Sequence, residues 1–147
     1  YEGPIVTHVS PAKPYTEELR KLAVESAKEH GIKVHDGGTI VVINGPRFSS
    51  QAESKWFHDA GWQIINMTQY PEAFLVKEAG MAVVNISLIT DYDSGVHTGT
   101  EPVSHNAVIE VFNQNIDNLR KLLFTLIEKI PAGEKWGADK VLENSRF

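Results

Sequence analysis

Two aspartates separated by one residue follow a largely apolar run of the sequence. Asp91 and Asp93 come directly after residues 81–90. In an extended segment, residues i and i+2 point the same way, so both carboxylates are expected on one side. Such a pair could accept a hydrogen bond from an amino group on a heterocycle, and a carboxyl kept protonated by burial could donate to a ring nitrogen. Alternatively, the two aspartates are ordinary turn formers after a strand.

A second segment, residues 45–50, combines a cation, an aromatic ring and two hydroxyls. Arg47, Phe48, Ser49 and Ser50 lie between a predicted strand and a predicted helix. Backbone donors and a helix N-terminus could hold an anion there, and Phe48 could stack on a flat base. Alternatively, the segment is a proline turn in which Ser50 caps the helix.

A third segment offers an amide, a soft apolar side chain and a hydroxyl. These are Asn66, Met67 and Thr68, although a methionine in such a position is more often core filler than a ligand contact. Taken together, the three segments suit a purine nucleoside. A dinucleotide is a poorer fit, because the sequence has no G-x-G-x-x-G or Walker pattern.

The elements that must position these side chains alternate between strand and helix along the chain. Apolar periodicity, capping residues and turn signals predict helices at residues 17–30, 51–60, 71–80 and 105–130, and strands at 32–35, 39–44, 62–67 and 81–90. This alternation predicts an α/β domain with a mixed central sheet flanked by helices. Ligands of such sheets gather at the carboxyl ends of strands, which selects residues 44–50, 66–70 and 90–93.

Composition excludes several classes of protein. The 147 residues are 41% hydrophobic and 22% charged, which excludes a disordered tail, a collagen-like repeat and a bare coiled coil. The net charge is −5 and basic residues do not cluster, so a nucleic-acid groove is not expected. The absence of cysteine excludes disulfides and thiolate metal sites, and six scattered histidines without H-E-x-x-H give no reason to expect a metal.

The sequence also leads to expectations about the cellular location of the protein and about the start of the chain. No run approaches 18 apolar residues and no secretory signal is evident, so we expect no membrane partner and a cytoplasmic location. The sequence begins at Tyr1 without methionine, as though inside a folded domain.

The three segments closely resemble the 5′-methylthioadenosine phosphorylases, the trimeric branch of the purine nucleoside phosphorylases. The resemblance is carried by GPRFSSQAES at residues 45–54, INMT at 65–68 and TDYD at 90–93, with Pro71-Glu72 and Lys77-Glu78 between them. It implies a purine nucleoside phosphorylase-like α/β fold that is incomplete at its N-terminus. Residues 1–130 would be the C-terminal portion of the domain, and residues 131–147 an extension.

The resemblance implies an enzyme, a pentosyltransferase of purine and methionine salvage. Its reaction is phosphorolysis of the N-glycosidic bond of 5′-methylthioadenosine to adenine and 5-methylthioribose 1-phosphate. Inorganic phosphate is the co-substrate, no metal or organic cofactor is expected, and the assembly is expected to be a homotrimer.

The resemblance also implies roles for individual side chains. Asp91 hydrogen-bonds or protonates the purine N7, and Asp93 helps read the 6-amino group. The other residues expected to contact substrate are Phe48 on the purine, Met67 on the ribose and Thr68 on phosphate, together with Ser49, Asn66 and Tyr92.

Four positions bear on specificity or assembly. The 6-oxopurine branch carries glutamate where this chain has Ser49 and asparagine where it has Asp91, and both differences favour adenine. His105 stands where methylthioadenosine phosphorylases have a small apolar residue, whereas nucleoside-specific relatives use a histidine that bonds the 5′-hydroxyl. His8 matches a position that reaches across the trimer interface to a neighbour's 5′ pocket. The alternatives are a solvated helix start for His105 and an exposed edge-strand residue for His8.

Two further hypotheses follow, one from His105 and one from the family segments that precede the position of Tyr1. His105 favours a phosphorylase acting on adenosine, inosine or methylthioinosine. In addition, the family's phosphate-binding loop, Arg-His pair and Thr-Ala contact all precede the segment that corresponds to Tyr1. A chain without them is expected to hold most of the purine site and little of the phosphate site. The alternative to an active enzyme is a catalytically silent fragment that serves in purine binding or in assembly.

Overall fold

The computed structural model describes residues 8–10, 12–95, 99–143 and 145. Its elements, in chain order, are α1 (Glu17–Glu29), β1 (Ile40–Val42), α2 (Gln51–Asp59), β2 (Ile64–Asn66), α3 (Gln69–Glu78), α4 (His105–Lys129) and a 3-10 helix (Asp139–Leu142). The four predicted helices are confirmed, each within two residues of its expected bounds.

Two strands form the sheet of the described chain. β1 and β2 pair in parallel, with Val42 opposite Asn66, and Ile43 N–H continues the pairing to the Asn66 carbonyl at 2.9 Å. Because the strands run in parallel, both carboxyl ends leave from the same edge. The α/β class is confirmed, and the residues that leave this edge are those at 43–50 and 67–70.

Two predicted strands are wrong for the described residues. Residues 32–35 and 81–90 carry no strand hydrogen bonding, and β1 and β2 pair only with each other. A parallel strand requires a neighbour beside it. Val83 instead bonds Thr16, its N–H donating to Thr16 Oγ1 at 3.1 Å and its carbonyl accepting from Thr16 N–H at 2.7 Å. Met81 and Ile89 are each more than half exposed, so the apolar run is not buried as its composition predicts.

The helix starts follow local side-chain chemistry. Ser50 and Glu53 form the predicted capping box of α2, and Ser104 Oγ accepts from Ala107 N–H at 3.3 Å at the start of α4. Thr16 is the N-cap of α1, but its hydroxyl bonds Val83 instead of the helix. Tyr70, inside α3, has φ −110° and ψ 122°, because a residue that precedes proline is driven out of the helical region.

The core of the described chain lies mainly between α1 and α4. Both helices bury apolar side chains, namely Leu19, Ala23, Ala27, Leu122 and Leu126. At the rim, Lys129 Nζ lies 2.5 Å from Glu29 Oε1 and 3.2 Å from Glu25 Oε1. The 3-10 helix packs near the end of α3, where Leu142 Cδ1 would lie 3.1 Å from a Cβ on Gly80. The boundary proposed at residue 130 stays a prediction.

Candidate active site

The loop between β1 and α2, residues 45–50, is closed by hydrogen bonds to one carboxylate. Glu53 Oε2 accepts from the Ser50 N–H at 2.8 Å and from the Ser50 hydroxyl at 3.0 Å. The Arg47 guanidinium donates from Nη1 to Glu53 Oε2 at 2.8 Å and from Nη2 to Oε1 at 2.7 Å. These donors, Arg47 first, lower the pKa of Glu53 from 4.5 to about 2. The loop is therefore a charged, hydrogen-bonded turn.

This hydrogen-bond network argues against the prediction that the loop binds an anion. The carboxylate of Glu53 already occupies the N-terminus of α2 and pairs with Arg47, the nearby cation. A bound anion would have to displace an internal one, so the alternative of an ordinary helix cap is confirmed. The loop is better suited to a neutral ligand.

Phe48 and Ser49 lie in the middle of the loop. Phe48 is 43% exposed, which leaves its ring accessible, whereas Ser49 Oγ is buried and has no hydrogen-bond partner. A buried hydroxyl without a partner costs free energy that a ligand can recover. The arrangement is compatible with stacking by Phe48 and hydrogen bonding by Ser49, and both roles stay predictions.

Asn66, the last residue of β2, bonds the start of α3. Its Oδ1 accepts from the Thr68 N–H at 2.6 Å and from the Gln69 N–H at 2.8 Å. The amide oxygen is thus used within the protein, which leaves the NH₂ group as the donor for a ligand. Thr68, predicted to contact phosphate, is the exposed N-cap of α3.

Met67 joins the end of β2 to the 45–50 loop. A Cβ added to Gly45 would lie 2.9 Å from Met67 Sδ, closer than ordinary van der Waals contact. Glycine therefore permits the loop to approach this thioether. Phe48, Ser49, Asn66, Met67 and Thr68 accordingly share one edge of the sheet.

The aspartate turn, residues 90–93, is held by its own side chains. Asp91 Oδ1 accepts from the Asp93 N–H at 2.8 Å, and Asp91 Oδ2 accepts from the Thr90 hydroxyl at 2.6 Å. Asp93 has φ 54°, in the left-handed region, so the backbone turns. The expectation of an extended segment is wrong, and the turn-former alternative is confirmed for the backbone.

The two carboxylates nevertheless differ in what they offer a ligand. Each oxygen of Asp91 accepts one hydrogen bond from the protein, whereas Asp93 Oδ2 is buried without a partner. The neighbouring Ser94 Oγ, in a residue only 7% exposed, is likewise buried and unpaired. Asp93 therefore carries the free buried acceptor.

His105 is brought near the aspartate turn by the backbone. The Val103 N–H donates to the Asp93 carbonyl at 2.8 Å, and His105 follows two residues later as the exposed first residue of α4. Tyr92 is 69% exposed. His8 is also exposed, and its N–H donates to the Ser145 carbonyl at 2.8 Å, which places it beside the C-terminal segment.

The predicted residues thus fall into two groups. The first lies at the carboxyl edge of β1 and β2, and the second comprises the aspartate turn with His105. Within the described ranges, no hydrogen bond or ion pair links the aspartate turn to the 45–50 loop or to residues 66–70. Residues 81–90 form no strand that would tie the turn to the sheet edge.

Three contributions were not predicted from the sequence. They are the Arg47–Glu53 ion pair, the Thr90 hydroxyl on Asp91 and the buried hydroxyl of Ser94. The first had a visible signal, since the capping box places Glu53 beside a loop that carries an arginine. The other two depend on the path of the turn, which residue types alone do not specify.

Two grooves on the surface lie away from the predicted site residues. Two open grooves, with volumes of about 300 and 320 Å³, lie near α1 and the C-terminal segment, and Met81 and Trp136 line both. None of the predicted site residues lines either groove. In the part of the chain that the structure describes, no three His, Asp or Glu side chains are grouped to hold a metal ion. None of the helices there is both long and apolar enough to cross a membrane.

Comparison with known sequences gives a consistent picture. A family model of the phosphorylase superfamily matches residues 1–128. The S-methyl-5′-thioadenosine phosphorylase of Pyrococcus abyssi is 45% identical over 143 residues, which are 97% of this chain and 54% of the relative. The purine nucleoside phosphorylase of Streptomyces coelicolor is 43% identical over 133 residues, 90% of this chain and 47% of the relative. The chain spans about half the length of the curated relatives it matches.

Solved structures agree on the fold. The methylthioadenosine phosphorylase of Schistosoma mansoni in complex with adenine superposes with a TM-score of 0.86 at 29% identity. The match covers 96% of this chain and 56% of that protein. A variant of the same organism's adenosine/methylthioadenosine phosphorylase, also with adenine, gives a TM-score of 0.88 at 30% identity, with the same coverage.

Proposed function

We propose that this chain, which belongs to the phosphorylase superfamily, provides the purine-binding part of an enzyme that cleaves 5′-methylthioadenosine with phosphate. The products are adenine and 5-methylthioribose 1-phosphate. The proposal draws on relatives of that activity, such as the Pyrococcus abyssi enzyme, and on the similarity to an adenine complex.

One observation carries the choice of adenine. Asp93 Oδ2 is a buried acceptor without a donor, in a turn whose other carboxylate already accepts two hydrogen bonds. A 6-amino group supplies a donor to such an oxygen, whereas the 6-oxo group of hypoxanthine is itself an acceptor. Pairing therefore favours adenine, and an unpaired buried carboxylate oxygen penalises the 6-oxopurine.

Asp91 is assigned to the departing base. In phosphorolysis, a phosphate oxygen bonds to C1′ while the C1′–N9 bond breaks and its electron pair passes to the purine. N7 takes up a proton from solvent, which neutralises that charge, and the Asp91 carboxylate accepts a hydrogen bond from the N7–H so formed. The Asp93 N–H and the Thr90 hydroxyl fix the orientation of this carboxylate. General acid–base assistance of this kind typically contributes about 10²–10⁴-fold.

The remaining side chains complete the proposed site. Phe48 stacks on the purine, Met67 contacts the ribose and Thr68 contacts phosphate at the start of α3. Ser49, Asn66 and Tyr92 join them as substrate contacts, and His8 serves a neighbouring subunit. Phosphate is the co-substrate, and the reaction needs no metal or organic cofactor. A homotrimeric assembly in the cytoplasm, acting in purine and methionine salvage, completes the proposal on the strength of the resemblance.

The test separates binding from turnover. Calorimetry with adenine measures binding by the chain itself, and release of adenine from 5′-methylthioadenosine is followed with and without phosphate. The turnover assay is run on the chain alone and on the chain mixed with the N-terminal half of the Pyrococcus abyssi relative. We expect adenine binding by the chain and phosphate-dependent release in at least one assay. Binding without any turnover would support the silent-fragment alternative, and absence of adenine binding would overturn the proposal.

His105 supports a second candidate, phosphorolysis of adenosine, inosine or methylthioinosine. The imidazole stands exposed at the start of α4, close in sequence to Val103, which bonds Asp93. From there it could donate to a 5′-hydroxyl, a group that 5′-methylthioadenosine lacks. The ratio of kcat/KM for 5′-methylthioadenosine to that for adenosine decides between the two.

A further inference from the structure

We propose that Arg47 and Glu53 are positioning residues that hold Phe48 and Ser49 in the geometry that receives the purine. With Ser50, they form a closed set of hydrogen bonds that we call the loop clamp. This inference rests on the proposed function, because it concerns the same base-binding loop. The two residues are not expected to touch the base.

The first observation is the span of the Arg47 guanidinium. Besides its two bonds to Glu53, Nη1 donates to the Phe48 carbonyl at 3.1 Å. An exposed ion pair is by itself worth little, about 0–1 kcal/mol. The planar guanidinium also imposes a geometry, because the Glu53 carboxylate and the Phe48 carbonyl must both lie near its plane to accept its hydrogen bonds. The backbone at Phe48 is thereby tied to a residue in the first turn of α2.

The second observation is that hydrogen bonds between Ser50 and Glu53 close the loop at its C-terminal end. Ser50 donates to Glu53 Oε2 through both its N–H and its hydroxyl, and the hydroxyl also accepts from the Glu53 N–H at 3.3 Å. The loop is therefore anchored at Arg47 and at Ser50. Phe48 and Ser49 are the two residues between these anchors.

The third observation concerns what the clamp leaves available. Ser49 Oγ is buried and unpaired, and Phe48 is 43% exposed. The loop thus presents the Phe48 ring and the Ser49 hydroxyl to a ligand. Its other polar side chains are hydrogen-bonded to Glu53. A site held in place before ligand arrives avoids the entropic cost of ordering the loop on binding.

A purely structural role as a helix cap predicts a different outcome, and Arg47→Lys distinguishes the two. Lysine keeps the charge, and the capping box of Ser50 and Glu53 stays intact, but the fork to Glu53 and the Phe48 carbonyl is lost. A cap role predicts unchanged adenine affinity in this variant. The clamp predicts adenine binding about tenfold weaker, with little change in melting temperature.

The experiment uses two readouts on the full chain. Phe48 is replaced by 4-fluorophenylalanine, and its ¹⁹F NMR spectrum reports the loop without ligand, while calorimetry gives the Kd for adenine. The variants are Arg47→Lys and Glu53→Gln. Lys55→Ala is the matched control, because it breaks a 2.9 Å pair with Asp59 on the same helix, away from the loop. We expect one sharp ¹⁹F signal in the unmodified chain and in the control, and broadened or multiple signals in both clamp variants.

A double-mutant cycle tests the route of the effect. In a background that carries both Phe48→Ala and Ser49→Ala, Arg47→Lys should weaken adenine binding no further, because its effect passes through those two residues. An equal loss in both backgrounds, or unchanged ¹⁹F signals in both clamp variants, would overturn the inference. If the unmodified chain does not bind adenine, the proposed function fails, while the ¹⁹F spectra still decide whether the clamp orders the loop.

Discussion

The backbone N–H of Asp93 donates a hydrogen bond to Oδ1 of Asp91, 2.8 Å away. This bond turns the chain and separates the chemistry of two carboxylates that stand only two residues apart. Asp91 is oriented by the protein, whereas Asp93 keeps a buried oxygen without a donor. We therefore expect substitutions of the two aspartates to have different consequences.

Asp93→Asn is expected to weaken adenine binding about tenfold or more, because it replaces a charged acceptor with a neutral amide. Asparagine can also donate to a 6-oxo group, so hypoxanthine should bind relatively better. Calorimetry with both bases measures the change. Asp117→Asn, on an exposed face of α4, serves as the control and should leave both affinities unchanged. Equal weakening for both bases would contradict the assignment of Asp93 to the 6-amino group.

Asp91→Asn is expected to reduce kcat for phosphorolysis by at least about 10²-fold, because a neutral amide oxygen stabilises the N7–H of the departing base less than a carboxylate does. Adenine binding should change much less than the rate. The measurement is adenine release under the conditions that give phosphate-dependent turnover, with Asp117→Asn as control. A rate near that of the unmodified protein would remove Asp91 from the chemistry.

Gly45→Ala is expected to destabilise the fold by about 1 kcal/mol at most, because the new methyl group would lie 2.9 Å from Met67 Sδ and the flexible methionine side chain must move to admit it. Met67→Ala removes the obstructing atom. The double variant should therefore be more stable than the sum of the single effects predicts, with a positive coupling measured by denaturant unfolding. Strict additivity would show that the loop and the end of β2 are not in contact.

Much of the fold was predictable because its signals are local. The starts of α2 and α4 could be predicted because each is capped by residues close in sequence. These are Ser50 with Glu53 for α2, and Ser104 for α4. The run at residues 81–90 was mispredicted because apolar composition indicates burial, whereas a strand depends on a partner that the sequence does not name. Here Val83 bonds the N-cap of α1.

The location of the predicted site residues in the fold was predictable at the sheet edge and less so at the aspartate turn, and their roles stay predictions. Asn66, Phe48 and Asp93 lie at or near the ends of segments that the sequence marked. Spacing suggested that Asp91 and Asp93 face the same way, but the left-handed backbone at Asp93 changes that relation. Such turns are stabilised by bonds between side chain and backbone, which depend on the path the chain takes.

The lowered pKa of Glu53 predicts that part of the folding stability is lost in acid. Its pKa is lowered from 4.5 to about 2 in the folded chain by Arg47 and Ser50. A lowered folded-state pKa stabilises the fold above the unfolded-state value, and this contribution is lost as the pH falls from about 4.5 towards 2. Thermal melts between pH 7 and pH 2 should show that loss.

Glu53→Gln should flatten the same pH dependence, since glutamine does not titrate. The variant is expected to be less stable than the unmodified chain at pH 7, and the difference should narrow as the pH approaches 2. Asp117→Asn again provides an exposed acidic control. Parallel pH profiles for Glu53→Gln and the unmodified chain would show that the ion pair with Arg47 contributes nothing.

His105→Val tests which 5′ group the site prefers. The backbone bond from Val103 to Asp93 brings the start of α4 to the aspartate turn, so a side chain at position 105 lies close to the proposed site. If the imidazole bonds a 5′-hydroxyl, removing it should lower kcat/KM for adenosine about tenfold. Valine offers apolar contact to a methylthio group, so kcat/KM for 5′-methylthioadenosine should be unchanged or higher. The two values are measured in competition, with Asn106→Ala as a neighbouring exposed control on α4. A constant ratio of the two values would identify His105 as a solvated helix start, and preference for the 5′ group would then have to arise from other side chains.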